Sequence, residues 1–287
     1  MPKMPLVSRI AAHFRKHKRF WLSSCVAMLL ATCCVKQFGH WGAATVEKEV
    51  VTISGETING MGPLKIAFFS DIHNNAALFE QTIEIIKQEK PDLIIFGGDL
   101  ILTNERFMRT KWAVNGFKQL TEIAPVYAIL GNQDYEKLDS VERVLKTADV
   151  TLLRNTAVDW TTPAGKEIKI VGLGDYNEGD EAPQVCLSEL GKENKPVLLL
   201  SHDPESRALL GAYDWDLMLS GHTHGGQLGI PFTDKYLSFR SSMPAGLFDF
   251  EGNRKIYVTR GVGAILYMRF FCTPEVTIIT IPGEQNH

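Results

Sequence analysis

The chain has 287 residues, 45% of them hydrophobic, with 30 Lys and Arg against 33 Asp and Glu, enough apolar content for a sizeable core in one or two domains. Seven of the basic residues (Lys3, Arg9, Arg15, Lys16, Lys18, Arg19 and Lys36) fall within residues 1–45, which hold no acid, so the remaining 23 face all 33 acids and leave the rest near −10. A body that acidic excludes nucleic acid as a partner, because binding a phosphate backbone depends on cations to neutralise it; its charge favours holding cations.

The N-terminus carries a basic stretch, FRKHKR, and then the uncharged run Phe20–Val35. As a helix this run spans roughly 24 Å, slightly short of a ~30 Å hydrocarbon core, with Phe38 and Trp41 able to extend it. Three readings fit residues 1–45. The first is an uncleaved single segment in a bacterial inner membrane, with the side of the catalytic domain left open. The second is a signal peptide cut near Gly42-Ala43-Ala44, and the third an interfacial helix carrying Leu6, Val7, Ile10 and Phe14 among basic residues. A buried core helix fits poorly, given the acid-free basic flank. Cys25, Cys33 and Cys34 lie in or beside the apolar run, and only Cys186 and Cys272 follow it, with no CxxC spacing; neither a disulfide framework nor a thiolate zinc site is implied.

Residues 46–63 read as a linker and first strand, and residues 64–283 as the catalytic domain. Apolar runs then alternate with amphipathic stretches. Leu64–Phe69 is a strand, Leu78–Gln88 a helix with Ile83 and Ile86 facing inward, and Asp92–Phe96 a strand. Lys111–Ile123 is a helix, Val126–Leu130 a strand and Val141–Ala148 a helix. Strands follow at Thr151–Leu153, Val158–Thr162, Ile168–Leu173, Val197–Leu200, Leu217–Leu219, Ile256–Thr259 and Val276–Ile281. This alternation defines an α/β class, and the strand-rich end points to more than one sheet.

The chemistry-bearing residues come just after the strands. Asp71-Ile72-His73 follows the first, Gly97-Gly98-Asp99 the next, and Gly131-Asn132-Gln133-Asp134 the third. Ser201-His202-Asp203 and Gly221-His222-Thr223-His224-Gly225-Gly226 follow two later ones. Ligands of α/β sheets bind outside the carboxyl ends of strands, so these five loops are expected to converge. Each motif alone is an ordinary turn; five in order are hard to attribute to chance. Seven oxygen and imidazole donors without a thiolate are too many for one tetrahedral ion and suffice for two if a carboxylate bridges. Manganese is placed first for the pair, with zinc, iron, cobalt or magnesium as the others.

This series, Asp71-x-His73, Gly98-Asp99, Gly131-Asn132, His202 and Gly221-His222-Thr223-His224, resembles the calcineurin-like metallophosphoesterases over about residues 64–281. The motifs Gly221–Gln227 and Thr259-Arg260-Gly261-Val262-Gly263 look like those of the bacterial membrane-associated or exported phosphodiesterases, a branch that includes a type of UDP-2,3-diacylglucosamine diphosphatase. The resemblance implies a four-layer αββα sandwich of two mixed sheets flanked by helices. It implies that Asp71, His73 and His224 hold one metal, Asn132, His202 and His222 the other, and that Asp99 bridges them. Two positions depart from the pattern. Gln133 stands where a His commonly helps protonate the leaving group, which leaves Asp134 without its usual partner; Leu102 stands where many members have a second Asp.

The catalytic set expected is therefore Asp99, Asn132, Gln133, His222 and Arg260, the last neutralising developing charge or else forming an ion pair on a solvated edge. An amide cannot act as the acid, so Gln133 favours good leaving groups. That points to phosphodiester or pyrophosphate cleavage, in a membrane-associated or lipid-linked substrate such as UDP-2,3-diacylglucosamine of the lipid A precursor pathway. A phosphomonoesterase or protein phosphatase, and a metal-dependent binding module without catalysis, are the alternatives. The segment Ile265–Phe271 reads first as a packed core strand and second as a lipid-contacting rim.

Overall fold

The computed structural model describes residues 18–102, 110–188, 195–233, 235–238 and 241–283. Strand β2 (Leu64–Phe69) shows how the sequence sets the layers. Successive side chains point to opposite faces, so Ile66 and Phe68 enter one core while Ala67 and Phe69 enter another. Strands buried on both faces read as continuous apolar runs, as do β3 (Leu93–Phe96), β8 (Val197–Leu200) and β9 (Leu217–Ser220).

Two mixed sheets of six strands result. In the first, β1 (Glu47–Thr52) and β12 (Glu275–Ile281) pair in parallel, β12 runs antiparallel to β2, and β3, β4 (Val126–Ala128) and β5 (Thr151–Leu152) continue in parallel. In the second, β7 (Glu167–Gly172), β8, β9 and β11 (Lys255–Val258) are parallel. Antiparallel β6 (Thr156–Thr161) and β10 (Gly246–Asp249) close its two edges. Phe68, Ile95, Ile170, Leu198, Leu219 and Ile279 fill the space between the sheets. Helices α2 (Ala76–Glu89), α3 (Lys111–Thr121) and α4 (Leu138–Thr147) cover the first sheet through Phe79, Ile83, Phe117 and Val141. The short α5 (Pro183–Cys186), with Leu210, Trp215 and Phe248, covers the second. This is the expected sandwich of two mixed sheets flanked by helices. The parallel strands β2, β3, β4, β8 and β9 send their carboxyl ends to one edge, where all five motifs lie.

One expectation is overturned at the N-terminus. Helix α1 (Lys18–Gly42) takes in the whole apolar run, yet among the described residues no helix is long and apolar enough to cross a membrane. Ser23, Ser24 and Thr32 dilute the run, and Lys36, Gln37 and His40 follow it within the same helix. The expected single segment in a bacterial inner membrane is therefore corrected. The basic stretch through residue 17 lies outside the described residues. The end of α1 docks on the domain: Arg269 N donates to Gly39 O at 2.9 Å, and the Phe38 ring lies 5.4 Å from that of Phe271.

Candidate metal centre

Three of the five loops turn sharply as they leave their strands. Asp71, His73, Asp99, His222 and His224 hold φ of 56, 50, 58, 66 and 53°, a left-handed conformation unusual for such residues and found at sites where the surrounding fold fixes a ligand. Two glycines make this possible. Gly98, at φ 91°, lies so close to the Gly131 backbone that a Cβ there would overlap it, and a Cβ on Gly221 would overlap Ser70 Oγ and Asp71 Oδ2.

All seven expected ligands come together. The ligating atoms of Asp71, His73 and His224 lie within 4.8 Å of one another, as do those of Asp71, Asp99 and His202. His224 Nε2 is 3.4 Å from Asp71 Oδ1 and 2.9 Å from His73 Nε2. Asp99 Oδ2 reaches both groups, 3.7 Å from His73 Nε2 and 3.4 Å from His202 Nε2. Asn132 Oδ1 and His222 Nδ1 meet at 3.1 Å, with the His222 ring 5.2 Å from that of His202.

The donor set fits divalent cations. His73 Nδ1 faces Ile101 O at 3.0 Å and His202 Nδ1 faces Gly97 O at 2.7 Å. A carbonyl only accepts, so those nitrogens donate, and each Nε2 points into the cluster, where a bound cation would take the place of any proton on it. Among the described residues, Asp71 Oδ1 and His202 Nε2 are buried with no hydrogen-bond partner. Orphaned buried atoms are costly, and a pair of cations among them would satisfy both.

The charges respond to this crowding. Burial opposes charging His202, but the Asp99, Asp71 and Asp175 carboxylates outweigh it and hold the imidazole well above its usual pKa. Burial likewise opposes ionising Asp99, yet His202 and His73 draw it below the usual carboxylate range. His224 falls well below the imidazole range through burial and the neighbouring His73 and Arg269.

Around the cluster several side chains are already committed. Gln133 N donates to Asp99 Oδ1 at 2.9 Å, fixing the oxygen that faces away from the histidines. Asp134, expected to lack its usual partner, instead accepts from the backbone N–H of Asp99, Leu100, Ile101 and Gly131. It shapes the turn that presents Asp99, while burial and the Asp99 charge push its pKa up to about 7. Arg260 pairs with Glu275 at 2.6 Å and with Glu49 at 3.3 Å, and donates to Tyr236 Oη; an ion pair forms, but against the buried Glu275 rather than on a solvated edge. Buried Arg269 donates to the carbonyls of His224, Arg260, Gly261 and Gly263 and lies 3.3 Å from His224 Nδ1. No motif or spacing marks Arg269, and sequence reasoning passed over it.

The packed-core expectation for Ile265–Phe271 also fails. Ile265, Leu266, Tyr267 and Phe271 are 44, 71, 42 and 53% exposed, and the last three hold φ of 59, 52 and 50°. Gln227, three residues after His224, ties this segment to the site, accepting from Ile265 N and donating to Ile265 O and Met268 O.

Residues 64–226 match the family described as calcineurin-like phosphoesterase. The chain is 36% identical over 229 residues to phosphodiesterase YaeI of Escherichia coli (strain K12), covering 76% of this chain and 82% of that one. It is 29% identical over 283 residues to the uncharacterized metallophosphoesterase YkuE of Bacillus subtilis (strain 168), covering 93% of this chain and 98% of the relative. Among solved structures, TT1561 of Thermus thermophilus overlaps 70% of this chain and 91% of its own, with a TM-score of 0.49 and 15% identity.

Proposed function

The chain belongs to the calcineurin-like phosphoesterase family and is a metal-dependent phosphoesterase, and from that premise we propose that residues 64–283 cleave a phosphodiester or pyrophosphate bond in a lipid-linked substrate such as UDP-2,3-diacylglucosamine. One observation supports the two-metal part of this reading: Asp71, His73, Asp99, His202 and His224 cluster, Asn132 and His222 meet beside them, and Asp71 Oδ1 and His202 Nε2 are buried without a hydrogen-bond partner among the described residues.

Asp71, His73 and His224 would hold one ion and Asn132, His202 and His222 the other, with Asp99 between them. Nitrogen and oxygen donors of intermediate hardness, without sulfur, suit manganese, iron, zinc or cobalt, and manganese is the ion proposed first. When bound, such a pair supplies Lewis-acid charge at the phosphoryl oxygens and lowers the pKa of the attacking water. The chain's own residues do the remainder. The Gln133 and Ile101 contacts fix Asp99 and His73 before substrate arrives, so little reorganisation accompanies reaction. Asn132 and Gln133 amides orient non-bridging oxygens by donating N–H. Gln133 holds no acidic proton, so the favoured leaving group is one stable as an anion, a phosphate or nucleotide. Arg260 adds positive charge behind Gly261 without a free guanidinium edge, since Glu275, Glu49 and Tyr236 occupy it.

The lipid part of the reading draws on the exposed apolar residues Leu266, Tyr267 and Phe271, stapled to the metal loop by Gln227. Strained, outward-facing apolar side chains beside a polar site suit acyl chains. Rates on bis(p-nitrophenyl) phosphate, p-nitrophenyl phosphate and UDP-2,3-diacylglucosamine test both parts. The diester should outpace the monoester, the acylated nucleotide should outpace its deacylated form, and Asp99→Ala should abolish all turnover. Faster monoester cleavage would support the phosphomonoesterase reading. Two bound ions without turnover would support a binding module.

A further inference from the structure

The loop after β7 supplies none of the seven expected ligands, yet its side chains close around the half of the centre formed by Asn132 and His222. Asp175 is fully buried, and its Oδ1 accepts from Asn177 N and Glu178 N at 2.9 and 3.1 Å. That turn directs the Asn177 amide outward to Asp203, where Nδ2 donates to Oδ2 at 2.8 Å. Asp203 is 5% exposed. Its other oxygen accepts from Glu205 N at 2.9 Å, capping the turn Pro204–Leu209. Both carboxylate oxygens are thus fixed, and Oδ2 lies 3.6 Å from His222 Nε2.

The opposite nitrogen of the same ring, Nδ1, faces Asn132 Oδ1. A His that binds a cation through one nitrogen carries its proton on the other, and a carboxylate facing that proton sets the tautomer and the ring's orientation. The loop is itself anchored. Arg154 grips Asp180 with two hydrogen bonds of 2.7 and 2.9 Å, and Tyr135 Oη donates to Asp180 at 2.7 Å while accepting from Asp175 N at 3.2 Å. Tyr135 belongs to the same short 3-10 turn, Asn132–Lys137, that begins with Asn132. The loop therefore touches the elements behind both Asn132 and His222.

We propose that Asp203, steadied by Asn177, is a positioning residue that holds His222 as a ligand through Nδ1, so that the β7 loop selectively braces the metal site of Asn132, His202 and His222. This rests on the two-metal reading. Asp71, His73 and His224 make no hydrogen bond or ion pair to Asp203 or Asn177 among the described residues, so their site is expected to be indifferent to them.

The test is calorimetric titration of Mn²⁺ into the metal-free full chain and two variants, with thermal melts of each alongside. Asp203→Asn keeps the side chain's size and removes the charge facing His222. Asn177→Ala removes only the exposed amide that steadies Asp203, so the fold should be untouched. The expected result is two sites in the parent chain. In Asp203→Asn one site weakens by about ten- to a hundredfold, the usual cost of losing such a partner, and the other stays within about twofold. Asn177→Ala should weaken that same site to a lesser degree at unchanged Tm. Two unaltered sites in both variants would overturn the proposal, as would equal weakening of both sites together with a fall in Tm. A parent chain that binds fewer than two ions would instead refute the two-metal reading beneath it.

Discussion

Replacing Asp134 by Asn should destabilise the protein by about 2–6 kcal/mol, although the side chain touches no substrate. The carboxylate is fully buried. Its Oδ2 accepts from Asp99 N at 2.8 Å and Gly131 N at 3.0 Å, and its Oδ1 from Leu100 N at 2.9 Å and Ile101 N at 3.3 Å. An amide presents one oxygen and one NH₂ group, so whichever way it is turned, two backbone N–H donors face another donor. Each buried donor left unsatisfied costs about 1–3 kcal/mol, which gives the range above and a large share of a typical domain's stability. Urea unfolding followed by circular dichroism should show a lower midpoint with an unchanged slope. At pH 8 the parent side chain is ionised, above the value of about 7 to which burial and Asp99 raise it. Because the same four bonds shape the turn that carries Asp99, metal affinity should fall as well. A change below about 0.5 kcal/mol, the range of ordinary surface substitutions, would refute the reasoning.

Gly221→Ala should reduce metal affinity at the Asp71 site, since its methyl would displace Ser70 Oγ and Asp71 Oδ2; calorimetric titration of Mn²⁺ reads the loss. Burial, with help from Asp175 and Asp203, pushes Glu181 up to about 7 from an ordinary 4.5. The folded chain then retains a proton that the unfolded chain releases between those values, so stability is greatest below the lower one and falls as pH rises through the window. Glu181→Gln should flatten the decline between pH 5 and pH 8 by about 1–2 kcal/mol, after allowance for solvent screening, in urea midpoints at the two pH values. The double substitution Leu266→Ser with Phe271→Ser should raise KM for an acylated nucleotide several-fold and leave bis(p-nitrophenyl) phosphate hydrolysis unchanged. Loss of both activities together would remove the acyl-contact role.

The buried parallel strands were legible because burial on both faces writes Leu-Lys-Ile-Ala-Phe-Phe or Val-Leu-Leu-Leu as a nearly unbroken apolar run. Since ligands follow such strands, the five loops could be named from order alone, and the family resemblance then singled out Asp71, His73, Asp99, Asn132, His202, His222 and His224 within them as expected ligands. Helix bounds slipped where capping decides them; α2 starts at Ala76 because Asn75 caps Leu78 N, two residues before the apolar pattern begins. The edge strand β10 escaped notice because its Gly-Leu-Phe-Asp is half exposed and short. Asp175, Asn177, Asp203 and Arg269 act on groups far away in sequence, and no local spacing encodes such contacts. At the N-terminus the length of the uncharged run suggests a membrane span, while Ser23, Ser24 and Thr32 lower its apolarity. Ile265–Phe271 misled in the opposite direction. Its composition suits a core strand, but left-handed turns at Leu266, Tyr267 and Phe271 throw those side chains outward.

The most direct measurement is elemental analysis of metal carried by the purified chain after exhaustive dialysis against Mn²⁺ and then metal-free buffer, with Asp99→Ala and His73→Ala beside it. Two ions per parent chain are expected, with at most one in each variant and no diester hydrolysis by Asp99→Ala. Fewer than two ions in the parent, or undiminished loading once Asp99 is gone, would contradict a shared dinuclear centre at these seven residues.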